Sequence, residues 1–140
     1  MGRIFYLSAV AILAILASSH EVSAAGYSAF TLYSDVCLHQ ESGDLLGTRL
    51  GLLRMVDDTY AFYQLAEGWP GEPQIVKLDE DQLKKSRIDF QASQDGKRFS
   101  VQGRIAGNTI VLTAGGLRDH DEKILRLKKV ALPERVPYCR

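Results

Sequence analysis

The sequence predicts an all-β fold of about eight antiparallel strands in a meander, closed or nearly closed into a small barrel. Three observations lead to this prediction. Short segments rich in apolar and β-branched residues recur at spacings of roughly 8–12 residues. Glycine, proline, asparagine and aspartate separate these segments, as turns require. Two cysteines, Cys37 and Cys139, lie near the two ends of the pattern. A β-sandwich is the alternative that the same pattern allows.

Residues 1–24 predict a secretory signal peptide. Arg3 precedes an apolar run over 4–17, and a short polar stretch ends in Val22-Ser23-Ala24. A charged start, an apolar centre and a small-residue cleavage site are typical of such signals. An uncleaved anchor is the alternative, although the run is shorter than the roughly 20 residues that cross a bilayer. We therefore expect a secreted or periplasmic protein, with one β domain over 25–140 and an extended tail over 131–140.

Export predicts a disulfide between Cys37 and Cys139, because a lone cysteine pair is usually oxidised outside the cytosol. In a barrel, this disulfide requires a particular path for the tail. Cys37 lies near the far end of the first strand, whereas the last strand should finish near its beginning. The tail must therefore run back along the barrel, which is feasible because an extended chain covers about 3.3 Å per residue.

The first half of the domain contains four predicted strands, at 27–38, 45–56, 60–67 and 74–78. In the second of these, Gly47 and Gly51 predict a bulge or a sharp bend. A helix is the competing interpretation for that segment, but each glycine would cost it about 1 kcal/mol. A loop over 68–73, rich in glycine and proline, precedes the fourth strand and carries Trp69.

At most one short helix is predicted, over 79–86, between the fourth and fifth strands. Asp79 is placed to cap its first turn, and Gln82 follows three residues later, as in a capping box. Leu83 supplies one apolar contact.

Four more strands are predicted at 87–93, 98–106, 109–114 and 123–130. Asp95-Gly96 and Gly107-Asn108 each separate two of them, and both pairs suit the positive φ angles of two-residue hairpin turns. The strand between these turns alternates cleanly. Its apolar face comprises Phe99, Val101, Gly103 and Ile105, and its polar face comprises Arg98, Ser100, Gln102 and Arg104.

Sequential hairpins favour an up-and-down barrel in which the last strand lies beside the first. Such an architecture resembles that of lipocalins and avidins. No motif of either family occurs in the chain, so no residue role is carried over from them. Eight strands enclose an interior that is either filled with side chains or holds one small ligand.

The charge composition disfavours two classes of partner. The chain has 17 basic and 17 acidic residues and a formal net charge of zero. The two signs are interspersed along the chain. This balance argues against a nucleic-acid partner and against electrostatic binding to membranes. We expect no membrane association after signal cleavage.

No catalytic, metal or cofactor site is predicted, and we expect a protein that is not an enzyme. The histidines of the predicted domain, His39 and His120, lie in turns, and no strained Gly-x-Ser-x-Gly elbow occurs. The acidic segments 79–81 and 119–122 lack the ligand spacing of calcium or zinc sites.

The candidate binding residues depend on what the barrel interior contains. Tyr63, Gln64, Gln102 and Arg104 are the candidate polar groups if the interior is a pocket. Trp69 is either a binding anchor on a rigid loop or a plug that folds back over one end of the barrel. We favour the plug.

Three functions are compatible with these features. The leading hypothesis is an exported, non-enzymatic binding domain that holds a small apolar or amphipathic ligand in the barrel. The second is a protein-binding inhibitor or interaction module, with another exported protein as its partner, that uses surface loops such as 68–73. The third is a hydrolase with an unrecognised site.

Overall fold

The chain folds into one nearly closed barrel of antiparallel strands, as described by a computed structural model. The structure describes residues 29–94, 96–115 and 122–140, so the predicted signal peptide lies outside the described residues. The elements in chain order are β1 (Ala29–Ser34), β2 (Cys37–Leu38), β3 (Leu45–Arg54), β4 (Thr59–Pro70), β5 (Gln74–Leu78), α1 (Glu80–Lys84), β6 (Arg87–Gln94), β7 (Lys97–Ala106), β8 (Thr109–Gly115) and β9 (Lys123–Val130). The all-β prediction is therefore confirmed.

The strands follow the order β5-β4-β3-β1-β9-β8-β7-β6, with β2 paired to β3. The last strand lies beside the first, since Leu32 of β1 pairs with Val130 of β9. Because the strands form one continuous sheet, the sandwich alternative is not adopted. The remaining opening lies between β5 and β6, and α1 connects these two strands and packs against β6.

The two predicted hairpins are present. Gln94 pairs with Lys97, and Ala106 pairs with Thr109, so each connection has two residues. Gly107 has a φ of 59°, as the predicted turn requires. Asp95, from the other turn, lies outside the described residues. On β7, Phe99 and Val101 are buried as their alternation predicts.

The first predicted strand divides into β1 and β2 because its ladder with β3 is interrupted at Asp35, although the register is the same on both sides. Asp35 lies close to Gly47, which has a φ of 122°. A Cβ atom at position 47 would lie 2.8 Å from a carboxylate oxygen of Asp35, so only glycine fits there. The ladder continues across this point, because Gly47 still pairs with Ala66 of β4. The segment is a strand, and its competing interpretation as a helix is wrong.

The tail runs back along β2, as the predicted disulfide requires. The N–H of Leu38 donates to the carbonyl of Pro137 at 2.7 Å, and the N–H of Cys139 donates to the carbonyl of Leu38 at 2.9 Å. Cys37 and Cys139 form a disulfide with their Cα atoms 4.9 Å apart. The bridge is consistent with an oxidising compartment.

Apolar side chains from every long strand of the barrel fill its interior. The buried cluster comprises Tyr33, Leu50, Leu52, Ala61, Tyr63, Leu78, Ile88, Phe90, Ala92, Phe99, Val101, Ile110, Leu112, Leu125 and Leu127. Several of these residues, including Leu50, Val101 and Leu112, have no solvent exposure at all. An eight-stranded barrel is either filled with side chains or holds one small ligand, and the described residues fill this one with side chains.

Helix α1 is short, as predicted, and Asp79 caps it. A carboxylate oxygen of Asp79 accepts from the N–H of Asp81 at 2.8 Å. The reciprocal bond of a capping box is not formed, because the side-chain oxygen of Gln82 is buried without a partner. Within the described ranges, no helix has the length and hydropathy needed to span a bilayer.

Candidate functional site

Tyr63 lies in the packed interior of the barrel. It is 1 % exposed, and its ring lies 6.0 Å from that of Phe90 and 5.5 Å from that of Phe99. Its hydroxyl group is buried and forms no hydrogen bond of standard geometry. Burial raises the pKa of Tyr63 to about 12; the nearby hydroxyl of Thr48 opposes this shift, and the charge of Asp35 adds to it. Tyr63 is thus one of the few polar groups inside a mainly apolar core.

The raised pKa of Tyr63 predicts a loss of stability in strong alkali. The folded state retains the phenolic proton up to about pH 12, whereas the unfolded chain releases it near pH 10. Stability is therefore fully present below pH 10 and falls as the pH rises toward 12, by about 2–3 kcal/mol from this group. Urea unfolding between pH 9 and about pH 12 measures the fall.

Tyr63→Phe is the control for this alkaline effect. It should lose the part of the pH dependence that comes from Tyr63 and keep the part that comes from other groups, such as Lys77, whose pKa is raised by its hydrogen bond to Asp58. At neutral pH it should unfold at the same free energy or up to about 1 kcal/mol higher, because it removes a buried hydroxyl without a partner. A marked loss of stability at neutral pH would show that the hydroxyl has a partner.

Gln102 and Arg104 lie on the outside of the barrel. Both alternate with the inward-facing residues of β7, and both are exposed. Gln102 contacts Asp89 of β6, with its amide nitrogen 3.5 Å from the carboxylate. Their predicted place as polar groups of an interior pocket is therefore wrong, and the alternation of β7 explains why.

Trp69 is 83 % exposed and does not plug the barrel. The prediction of a loop over 68–73 is also wrong at its start, because β4 continues through Pro70. Gly68 pairs with Leu45, so Trp69 lies just past the last described pair of this ladder. Proline is tolerated at this point because a strand end needs no further N–H donor.

Gln64 lies on the outer face of β4 and supports the chain beyond Trp69. Its side-chain amide donates to the carbonyl of Gly71 at 2.7 Å, and the N–H of Gly71 donates to the carbonyl of Leu65 at 2.8 Å. Gln64 was expected to point into a pocket. Instead, it fixes the turn between β4 and β5.

A chain of polar contacts links this turn to the disulfide-bonded tail. Arg49 of β3 donates to the amide oxygen of Gln64 at 3.2 Å and to the carboxylate of Glu134 at 2.6 Å. The side chains of Arg49 and Glu134 are only 19 % and 11 % exposed, so solvent screens this ion pair less than an exposed one. The backbone two residues beyond Trp69 is therefore held by Gln64 and Leu65, and the side chain of Gln64 is in turn held by Arg49.

We name the end of the barrel that carries Trp69 the Trp69 rim, which comprises residues 39–44, 46 and 69–73. Leu46, on the neighbouring strand β3, is 38 % exposed. The rim therefore presents an exposed indole and a partly exposed leucine on an ordered backbone. Large aromatic groups on rigid supports are typical anchors of protein interfaces.

His39 is the one histidine among the described residues. His39 contacts the hydroxyl of Ser42 at 3.2 Å within one turn. His120 lies outside the described residues. Among the described residues, no three His, Cys, Asp or Glu side chains come together as a metal site would require.

A shallow open depression of about 260 Å³ lies beside α1, lined by Arg54, Thr59, Glu80, Leu83 and Lys84. Pockets for small molecules are typically about 300–1,000 Å³ and enclose most of the ligand. This depression is smaller and open, and it offers little apolar wall besides Leu83.

Comparison with known proteins finds no matching family model, no similar curated protein and no similar solved structure.

Proposed function

We propose that this chain is a non-enzymatic binding domain that recognises another exported protein through the Trp69 rim. The barrel-like fold is compatible with a binding domain. One contrast carries the proposal: apolar side chains fill the barrel, while the chain's one tryptophan is 83 % exposed on an ordered support. The leading hypothesis from the sequence, a small ligand inside the barrel, has less support because that interior is occupied by residues such as Leu50 and Leu112.

The support of Trp69 favours recognition of a protein. Association costs free energy when a side chain and its loop must be ordered. Here the bonds from Gln64 to Gly71, and from Arg49 to Gln64 and Glu134, order the backbone before a partner arrives. An exposed tryptophan on such a support can bury its ring with little further ordering cost.

Trp69→Ala tests this proposal. Because the ring is largely solvated, its removal should change the free energy of unfolding by no more than about 0.5 kcal/mol. Affinity for the partner should fall by about 30-fold or more, as for other tryptophan hot spots. Wild-type and variant proteins are used in parallel pull-downs, and the partner is the protein that the wild type captures and the variant does not. Titration of the purified partner then gives both dissociation constants.

Ile75→Ala is the matched control, because Ile75 is also an exposed large hydrophobic residue, 61 % exposed, on β5. It should bind the partner with wild-type affinity. Trp69 also reports binding directly, since it is the only tryptophan. A small soluble quencher should reach the free indole and lose access in the complex. A large fall in stability for Trp69→Ala, or unchanged affinity for every captured partner, would refute the proposal.

A further inference from the structure

Three arginines lie in one row across the outer face of β6–β9. Arg87 pairs with Arg104, Arg104 pairs with Val111, and Val111 pairs with Arg126. Directly opposed side chains on a sheet have Cβ atoms about 4.5–5.5 Å apart. The row therefore places Arg87 and Arg104 side by side on the sheet, with the backbone of Arg126 about 10 Å further on. Arg98 and Lys128 point outward from the same strands, and we name these five residues the basic face.

The charges of the basic face are not neutralised by described neighbours. All five side chains are exposed, and none forms an ion pair with a described residue. Asp89 is the one acidic residue at a described outward position of β6–β9, and its carboxylate contacts the amide of Gln102. Like charges directly opposite on a sheet lower its stability. Since the whole chain has zero net charge, this face concentrates positive charge locally rather than reflecting a basic composition.

The basic face suits a carboxylate-rich protein better than a nucleic acid. Arginine pairs with a carboxylate through two parallel hydrogen bonds, as it does with a phosphate, so the selection depends on the residues around the arginines. Proteins that bind single-stranded nucleic acids combine a basic groove with aromatic side chains on which the bases stack. The described outward positions of β6–β9 include no aromatic residue. The outward positions in and beside the row are polar, as at Gln102 and Thr113, or aliphatic, as at Val111 and Ile124.

We infer that the basic face is a second binding surface, which takes a carboxylate-rich segment of another protein. Arg87, Arg104 and Arg126 each contact carboxylates of that segment, and Arg98 and Lys128 attract it. This surface lies on strands other than those of the Trp69 rim. The inference rests on the proposed function and adds the chemical class of the partner, a carboxylate-rich protein. Its test uses a peptide and does not require the Trp69 rim.

A labelled poly-glutamate peptide is the probe, and its binding is followed by fluorescence anisotropy at low and high salt. The triple variant Arg87→Gln, Arg104→Gln, Arg126→Gln should bind about tenfold or more weakly than the wild type. The matched control removes three exposed positive charges elsewhere, by Arg54→Gln, Arg135→Gln and Arg140→Gln, and should lose less than about threefold. Wild-type affinity should fall as salt rises.

Two further readouts separate a binding role from a structural one. Arg104→Gln should melt at the wild-type temperature or above, because it relieves repulsion from Arg87. Trp69→Ala should bind poly-glutamate like the wild type, so failure of one proposal leaves the other measurable. Equal losses in both triple variants would overturn the inference. So would undetectable wild-type binding at low salt, or tighter binding of heparin or a single-stranded polynucleotide than of poly-glutamate.

Discussion

Replacing both Cys37 and Cys139 with alanine is expected to lower the free energy of unfolding by about 4–5 kcal/mol. The bridge joins residues 102 positions apart, so its loss releases a long loop of the unfolded chain. Many domains of this size have only about 5–15 kcal/mol of total stability. Urea unfolding of wild type and variant, with equal slopes required for comparison, measures the loss.

Glu134→Ala separates the covalent effect of the bridge from the contact that the tail makes with Arg49. It should cost less stability than the double cysteine variant, because the tail remains tied to β2. Both variants should loosen the turn at Gly71, which exchange of the amide proton of Gly71 would report. A loss below about 1 kcal/mol in the double cysteine variant would contradict the chain-entropy argument.

Phe99→Ala is expected to lower the free energy of unfolding by about 3–5 kcal/mol. Phe99 is 3 % exposed and packs against the ring of Tyr63 in the barrel interior. Its truncation removes apolar contacts and leaves a cavity, because the surrounding residues fill the vacated space only in part. Thermal and urea unfolding both measure this effect.

Phe30→Ala is the matched control, because it removes the same side chain from the outer face. Phe30 is 42 % exposed and covers Gly51 of β3. Its truncation should cost about 1 kcal/mol, since roughly half of its surface is already in water. Equal losses at positions 30 and 99 would mean that the interior is not a packed core.

The strands were predictable because alternation and turn residues are local signals. On β7, the alternation around Phe99 also indicated that Gln102 and Arg104 face outward. The two-residue turn between β6 and β7 also fixes the register of these strands, which places Arg87 opposite Arg104. The third arginine of the row could not be placed, because β8 and β9 are separated by seven residues, a length that does not fix their register.

The features around Trp69 were harder to predict because they depend on distant contacts. Gly68 and Pro70 indicated a loop, but Gly68 pairs with Leu45 of β3 and β4 continues through Pro70. The bond between Arg49 and Glu134 joins residues 85 positions apart, and nothing local in either segment signals it. The exposure of Trp69 follows from this tertiary arrangement rather than from the composition of its loop.

The most direct test of whether binding occurs outside a filled barrel is a ligand titration of the wild-type protein. Small apolar compounds, from benzene to a long-chain fatty acid, are titrated while the melting temperature and the methyl NMR signals of Leu112 are followed. Phe99→Ala is the positive control, since apolar cavities made in this way bind benzene. We predict saturable binding to that variant and none to the wild type. One ligand bound per wild-type chain, with a raised melting temperature and shifted Leu112 signals, would contradict this account.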